Sequence, residues 1–341
     1  MAGVTLKTIA LQAGVSYAAV SQVLSNPANT RFPAATRKRI LAAAHKLNYR
    51  PNRFALALKG QATNLFSMVL PWNCPELMDA AERGARDANY QLMVEFTPSP
   101  VGGAEAKAIG TALDWHVDGL IWMPYGGAKD YSETIAAIAA SSTKVVLLHH
   151  GLEDLDGADI VRAETTTSTV AMVTHLSEQG YRQIACLSEQ LDFAPDRRRF
   201  SLIKSTAAQL GVPCETFVMP PGEFKEKMTA YLRESKMPVA MICNGNWFAV
   251  DLIELADALG ISSPEQLGIV AIGDFPIGGR LRVGTLTRPR LTAIQEPLGA
   301  MAGAAVDLLV SRLQEKIPEV PVERLFSETL VVRDSTMRRV R

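Results

Sequence analysis

Between residues 66 and 272 seven short apolar runs follow one another: Phe66–Leu70, Gln91–Phe96, Gly119–Met123, Lys144–Leu148, Gln183–Leu187, Ala240–Cys243 and Ile269–Ile272. Runs this short, rich in β-branched and aliphatic residues, read as strands buried on both faces. The stretches between them, among them Glu76–Ala88, Gly103–Trp115, Thr167–Gln179, Phe200–Leu210 and Ala249–Leu259, carry apolar residues at helical spacing. Strand–helix alternation of this kind implies parallel sheets covered by helices, because each parallel pair needs a crossover connection. Residues 64–341 are therefore expected to be α/β, and long enough for two doubly wound subdomains with a ligand cleft at the carboxyl ends of the strands.

The first sixty residues are different. They hold nine basic side chains and no Asp or Glu, the first acid of the chain being Glu76. With 35 basic and 35 acidic residues overall, a neutral total hides a +9 head and a −9 remainder. Such a head calls for a polyanionic partner, nucleic acid above all. Thr5 can cap a helix over Leu6–Ala13 that Gly14 ends, and Ser16 can cap a second over Tyr17–Leu24. A third, Ala34–Leu47, places Ile40, Ala43, Ala44 and Leu47 on one stripe. Helix, tight glycine turn and helix make a helix-turn-helix. In the second helix Val20, Val23 and Leu24 point inward while Tyr17, Ala18, Ser21 and Gln22 point out.

Several classes are excluded or disfavoured. No run of 18 apolar residues marks a membrane span, and Met-Ala-Gly-Val-Thr-Leu-Lys lacks the layout of a signal peptide, so a cytoplasmic protein is expected. Cys74, Cys186, Cys214 and Cys243 lack metal-ligand spacing and read as reduced core thiols; no metal or cofactor is expected. There is no Gly-x-Ser-x-Gly, no Walker loop and no Gly-x-Gly-x-x-Gly after the first body strand, so no enzyme is expected. His149 and His150 follow a strand but point to different sides, and the other histidines are dispersed.

Thr5-Leu6-Lys7-Thr8-Ile9-Ala10, Ala13-Gly14-Val15-Ser16, Val20-Ser21-Gln22-Val23-Leu24, Thr36-Arg37 and Leu47-Asn48-Tyr49-Arg50-Pro51-Asn52, in this order and spacing, resemble the LacI/GalR family of transcriptional regulators. The likeness continues through the body in Val117-Asp118-Gly119-Leu120-Ile121, in His175-Leu176 with Gly180-Tyr181-Arg182, in Pro289-x-Leu291-Thr292-Ala293-Ile294 and in Leu330–Thr336. It implies a helix-turn-helix domain over 1–49, a hinge over 50–63 and an effector-binding, dimerising domain over 64–341. That last domain resembles periplasmic sugar-binding proteins. One subdomain would span about 64–161 and 294–321, the other about 162–293 and 322–341, joined by three crossings that permit hinge bending.

In such a head the second helix enters the major groove. The resemblance makes Tyr17, Ala18 and Gln22 the base-reading positions, with Gln22 suited to adenine and Ala18 to a thymine methyl. Lys7, Ser16, Ser21, Asn26, Thr36 and Arg37 are the implied phosphate contacts. Phe32-Pro33 stands where the family usually has Val-Ser, so the third helix should begin with a different cap. In the hinge, Leu58 with Asn52 and Ala55 beside it matches the minor-groove wedge that folds on DNA.

For the effector, Trp72 could stack on a sugar face and Asn73 or Glu76 could bond hydroxyls. The family's arginine falls at Arg199 or Arg198, its Asn-Asp pair at Gly245-Asn246, and its carboxylate pair is reduced to Asp274. An arginine with fewer acids suits a sugar acid or sugar phosphate, and the Gly273-Asp274-Phe275 wording resembles gluconate-type repressors; a neutral sugar stays open. The expected function is a dimeric, operator-binding regulator, most simply a repressor, controlled by a small molecule. That molecule induces if it favours splayed hinges and corepresses if it favours paired ones. No heptad extension follows Thr336, so a dimer is expected. A pure binding protein of the periplasmic type is the other reading of the body.

Overall fold

The computed structural model describes residues 4–25, 31–49, 62–97, 103–124, 131–148, 157–189, 194–277, 281–318 and 320–338. The chain divides into two compact units, Met1–Thr63 and Asn64–Arg341.

In the smaller unit α1 (Leu6–Ala13), α2 (Tyr17–Ser25) and α3 (Ala34–Lys46) enclose a core of Ile9, Val20, Val23 and Ile40, all without solvent exposure. The local signals of the sequence explain the boundaries. Thr5 Oγ1 accepts the Thr8 amide at 3.3 Å, Ser16 Oγ accepts the Ala19 amide at 3.2 Å, and Gly14 sits at φ 61°. That left-handed turn lets the Val15 amide close back on the Ala10 carbonyl at 3.1 Å. Proline at position 33 leaves α3 without a side-chain cap; Arg37 instead donates to the Phe32 carbonyl at 2.9 Å. Removing the Thr5 hydroxyl (Thr5→Ala) should cost the head about 1 kcal/mol, read as a lower melting point of residues 1–49.

The larger unit holds two six-stranded sheets. The first contains β1 (Leu65–Leu70), β2 (Gln91–Phe96), β3 (Gly119–Trp122), β4 (Lys144–Leu148), β5 (Asp159–Glu164) and β13 (Glu323–Ser327) in the spatial order β13-β5-β4-β3-β1-β2, all parallel. The second contains β6 (Gln183–Ser188), β7 (Cys214–Val218), β8 (Val239–Asn244), β9 (Leu267–Ile272), β12 (Thr292–Gln295) and β14 (Thr329–Val331) in the order β14-β12-β9-β8-β6-β7, parallel except for β14. A two-residue hairpin pair, β10 (Pro276–Ile277) and β11 (Leu281–Arg282), stands apart. Each large sheet turns back on itself beside its first strand, β1 or β6, which is where doubly wound sheets open a crevice.

Helices cover the sheets as the alternation requires. On the first sheet α4 (Pro75–Asp87) and α12 (Leu298–Leu313) bury Phe66, Met68, Leu70, Ile121 and Val146, while α5 (Ala104–Asp114) and α6 (Ser132–Ala139) bury Val69, Leu120, Trp122 and Leu147. On the second, α7 (Thr166–Glu178) and α8 (Ala194–Gln209) lie on one face, and α9 (Phe224–Glu234) and α10 (Asn246–Ala258) on the other. A short α11 (Val283–Leu286) follows the hairpin. Cys74, Cys186 and Cys243 are buried and Cys214 half-buried, all as free thiols. His175 is a packing histidine: it bonds Thr336 Oγ1 at 2.8 Å and anchors the C-terminal landmark.

The backbone passes between the sheets three times, at Thr165, at Glu296-Pro297 and at Glu328. The sequence places these crossings near 162, 293 and 322. The third shifts most, because Glu323–Ser327 pairs in register with β5 and so stays in the first sheet. The two lobes of this unit are therefore 64–164 with 297–327, and 166–295 with 329–338. Among the described residues no helix is long and apolar enough to cross a membrane, and no group of His, Cys, Asp and Glu has the arrangement to hold a metal ion.

Candidate DNA interface and effector cleft

The face of α2 opposite the core carries Tyr17, 47% exposed, with Ala18 and Gln22 on the surface and Ser21 half-buried. The helical spacing of Val20, Val23 and Leu24 forces this: burying one stripe turns the 17, 18, 21 and 22 positions outward. Ser16 accepts the Ala19 amide, which leaves its hydroxyl proton for a phosphate at the positive end of α2. Lys7 is exposed, and Thr36 and Arg37, in the first turn of α3, are half-buried. Asn26 and the hinge residues Asn52, Ala55 and Leu58 lie outside the described residues.

The body has a cavity of about 660 Å³ between its two sheets, within the size range of small-molecule sites. Its walls come from the carboxyl ends of strands. The first lobe supplies Pro71, Trp72 and Asn73 after β1, and Arg162 and Ala163 on β5. The second supplies Ser188 and Glu189 at the end of β6, Asp196 and Arg198 on α8, Asn244 to Trp247 after β8, and Phe275 after β9. Thr165 and Glu296, at two of the crossings, complete it. Asn244 donates to Asp196 at 2.8 Å and to Ser188 Oγ at 3.2 Å, so the second lobe presents a preset polar wall. Trp247 is 49% exposed and lies against Gly245. Gly245 has φ 108°, and a Cβ there would stand 2.5 Å from the indole. Only glycine suits that turn.

Of the sequence-predicted effector residues, Trp72, Asn73, Arg198 and Asn246 line this cavity. Three others are engaged elsewhere. Asp274, 2% exposed, takes Arg333 at 2.6 Å, the Gly284 amide at 2.9 Å and Gln295 Nε2 at 3.0 Å. It ties β9, β12 and the C-terminal segment together. Glu76 pairs with Arg282 at 3.2 Å, a link from the first turn of α4 in one lobe to β11 in the other. Arg199, though it touches the cavity wall, is 4% exposed, and its guanidinium forks onto Glu328 at 2.8 and 2.6 Å. Helix α8 starts at Ala194, ahead of the expected Phe200, so the three arginines fall on successive helical positions: Arg197 and Arg198 face out and Arg199 faces in.

This changes the electrostatics expected of the cleft. Arg162 is bonded to Glu323 and Arg199 to Glu328, while Glu189, Asp196 and Glu296 bring three carboxyls to the wall. The anionic effector was expected from an arginine with fewer acids beside it, whereas the wall carries the three carboxyls of Glu189, Asp196 and Glu296. Sequence reasoning missed Arg162, Asp196, Asn244, Trp247, Phe275 and Glu296. Each stands at or just beyond a strand end or on the helix that follows, where doubly wound sheets gather ligands.

Comparison with known proteins agrees with this layout. Residues 5–52 match the model for bacterial regulatory proteins of the lacI family, and residues 173–336 match the periplasmic binding protein-like domain. The chain is 30% identical to the HTH-type transcriptional regulator PtxS of Pseudomonas plecoglossicida, over 98% of this chain and 96% of that protein. It belongs to the LacI family. This LacI-family chain is also 25% identical to the HTH-type transcriptional repressor PurR of Photobacterium profundum, over 97% of this chain and 98% of the relative. In fold it is similar to the lac repressor dimer bound to operator and the anti-inducer ONPF, with TM-score 0.82, 23% identity and coverage of 99% and 100% of the two chains. The family member is thus a transcriptional regulator, with a DNA-binding head and an effector-binding body, and not an enzyme.

Proposed function

We propose that this LacI-family regulator is a cytoplasmic, homodimeric repressor whose α2 reads one half-site of a pseudopalindromic operator in each subunit, under control of a carbohydrate-derived molecule in the body cavity. The observation that carries the reading is the cavity itself. Both lobes wall it, with aromatic side chains from each, Trp72 on one and Trp247 and Phe275 on the other, so closure on a ligand couples directly to the angle between lobes. Indole and phenyl faces suit the apolar face of a sugar ring, and Asn73, Asn244 and Asn246 suit its hydroxyls. With Arg199 tied to Glu328, a neutral sugar fits this wall better than a sugar acid or phosphate.

Selection of bound duplexes from a random DNA pool, at two salt concentrations, tests the DNA half. A palindrome with a flexible pyrimidine–purine centre is the expected product, the centre accommodating a wedge from Leu58. Absence of binding even at low salt would remove the repressor reading and promote a pure binding protein. On the recovered operator, Gln22→Ala should cost about 1–3 kcal/mol at a single base position and leave the salt slope unchanged. An even loss across all sequences with a shallower slope would make Gln22 a phosphate contact instead.

A further inference from the structure

The crossings between the lobes share one buried cluster of charge. Arg199 reaches in from α8. Glu328, at the third crossing, accepts both of its terminal nitrogens and also the Ser168 hydroxyl at 2.5 Å. Glu296, at the second crossing, lies 3.7 Å from the same Arg199 Nη2, beyond hydrogen-bond distance. The side chains of Arg199, Glu296 and Glu328 are 5%, 14% and 0% exposed. Two carboxyls and one guanidinium, all largely buried, leave one negative charge uncompensated, and the carboxyl left out of the fork is the one that also lines the effector cavity.

We propose that Glu296 is a cavity-facing carboxyl that reads the effector, and that before effector binds it keeps its proton far more readily than a free glutamate does, because the guanidinium beside it is held by Glu328. The proposal rests on the effector role of the cavity given above and adds to it a proton at the junction of the lobes. The groups around Glu296 agree. Arg199 on α8 favours its ionised form. Glu328 on the third crossing and Glu76 on α4 oppose it. Asp196 on α8 also acts on Arg199, and Glu76 is itself paired with Arg282. Burial is the largest influence, and the carboxyl is pushed up to about 7.

An effector that offers Glu296 a hydroxyl or ammonium donor will favour its ionised form, so its binding releases the proton and strengthens as pH rises from about 6 to about 8. One that offers an acceptor will keep the proton and weaken over the same range. Stability has its own sign. The folded chain holds on this group a proton that the unfolded chain gives up at an ordinary glutamate pKa. The contribution of Glu296 to stability therefore falls as pH rises from about 4.5 to about 7 and is level above that.

The test is carboxyl ¹³C NMR of the full chain with labelled glutamate side chains, followed from about pH 5 to about pH 8.5. The parent should show a glutamate titrating near neutrality, and Glu296→Gln should lack it. In Glu328→Gln, where Arg199 is released toward Glu296, its midpoint should fall by about a unit or more. If that variant does not fold, the parent and Glu296→Gln suffice. No glutamate titrating above about pH 6, or one that persists in Glu296→Gln, overturns the proposal. A thermal-shift panel of neutral, acidic and amino sugars at about pH 6 and about pH 8 then tests reading. Each compound that stabilises the parent should bind with a pH dependence that Glu296→Gln abolishes, and identical shifts in both proteins at both pH values overturn the reading role. A panel with no binder counts against a carbohydrate effector, while the NMR result still decides the state of Glu296.

Discussion

Replacing Arg199 with methionine should lower the stability of the body by about 3–5 kcal/mol, the usual cost of stripping one partner from a buried ion pair. Urea unfolding of the full chain followed by circular dichroism reads it as an earlier transition of the larger unit. The cause is what remains behind. Glu328, with a side chain without solvent exposure, loses both nitrogens of its fork. Lowering the pH should return part of the loss, because protonation removes the uncompensated charge. The double variant Arg199→Met with Glu328→Gln should be less damaged than the single one, since it removes the stranded carboxylate as well. A loss below about 1 kcal/mol would mean that water reaches the cluster and that the pair is worth no more than a surface one.

Asp274→Ala is the second large effect, again about 3–5 kcal/mol. The Arg333 side chain, 10% exposed, is left without the carboxylate at 2.6 Å, and the buried Gly284 amide and the Gln295 amide lose their acceptor. Because Asp274 binds three parts of the chain together, Asp274→Asn should recover part of the stability through the hydrogen bonds an amide oxygen still accepts. Any change in effector affinity should follow the loss of fold. An Asp274→Ala protein of full stability that no longer responds to effector would reverse that assignment and return Asp274 to the cavity.

These residues mark where a sequence is legible. Thr5, Gly14 and Ser16 act on amides within four residues of themselves, so their roles could be read from spacing, and α1 has the predicted bounds. The seven strands expected in the body fall within two residues of β1, β2, β3, β4, β6, β8 and β9, because a buried parallel strand shows itself as a continuous apolar run. β5, β12, β13 and β14 were not expected, and β7 is an edge strand with no buried position while α9 exposes much of its length, so neither of these two stood out as an apolar block. At the cleft the difficulty is range. Glu76 meets Arg282 across 206 positions, Arg199 meets Glu328 across 129, and Asp274 meets Arg333 across 59. A charged residue near an expected pocket looks available until its distant partner is known. The uncharged residues Trp72, Asn73 and Asn246 line the cavity.

The interleaving of the lobes has a consequence for biosynthesis. The first sheet ends with β13 at residues 323–327 and receives α12 from 298–313, while the second closes with β14 at 329–331. Neither lobe is whole until nearly the entire chain has left the ribosome, although among the described residues the core of the head lies within residues 6–49. The DNA-reading part can thus take shape while its control element is still being made. A message cut short between codons 313 and 323 would yield two sheets that each lack an edge strand. Such a product could grip operator DNA without being able to answer to effector, which makes the last few strands the quality check on a controllable repressor.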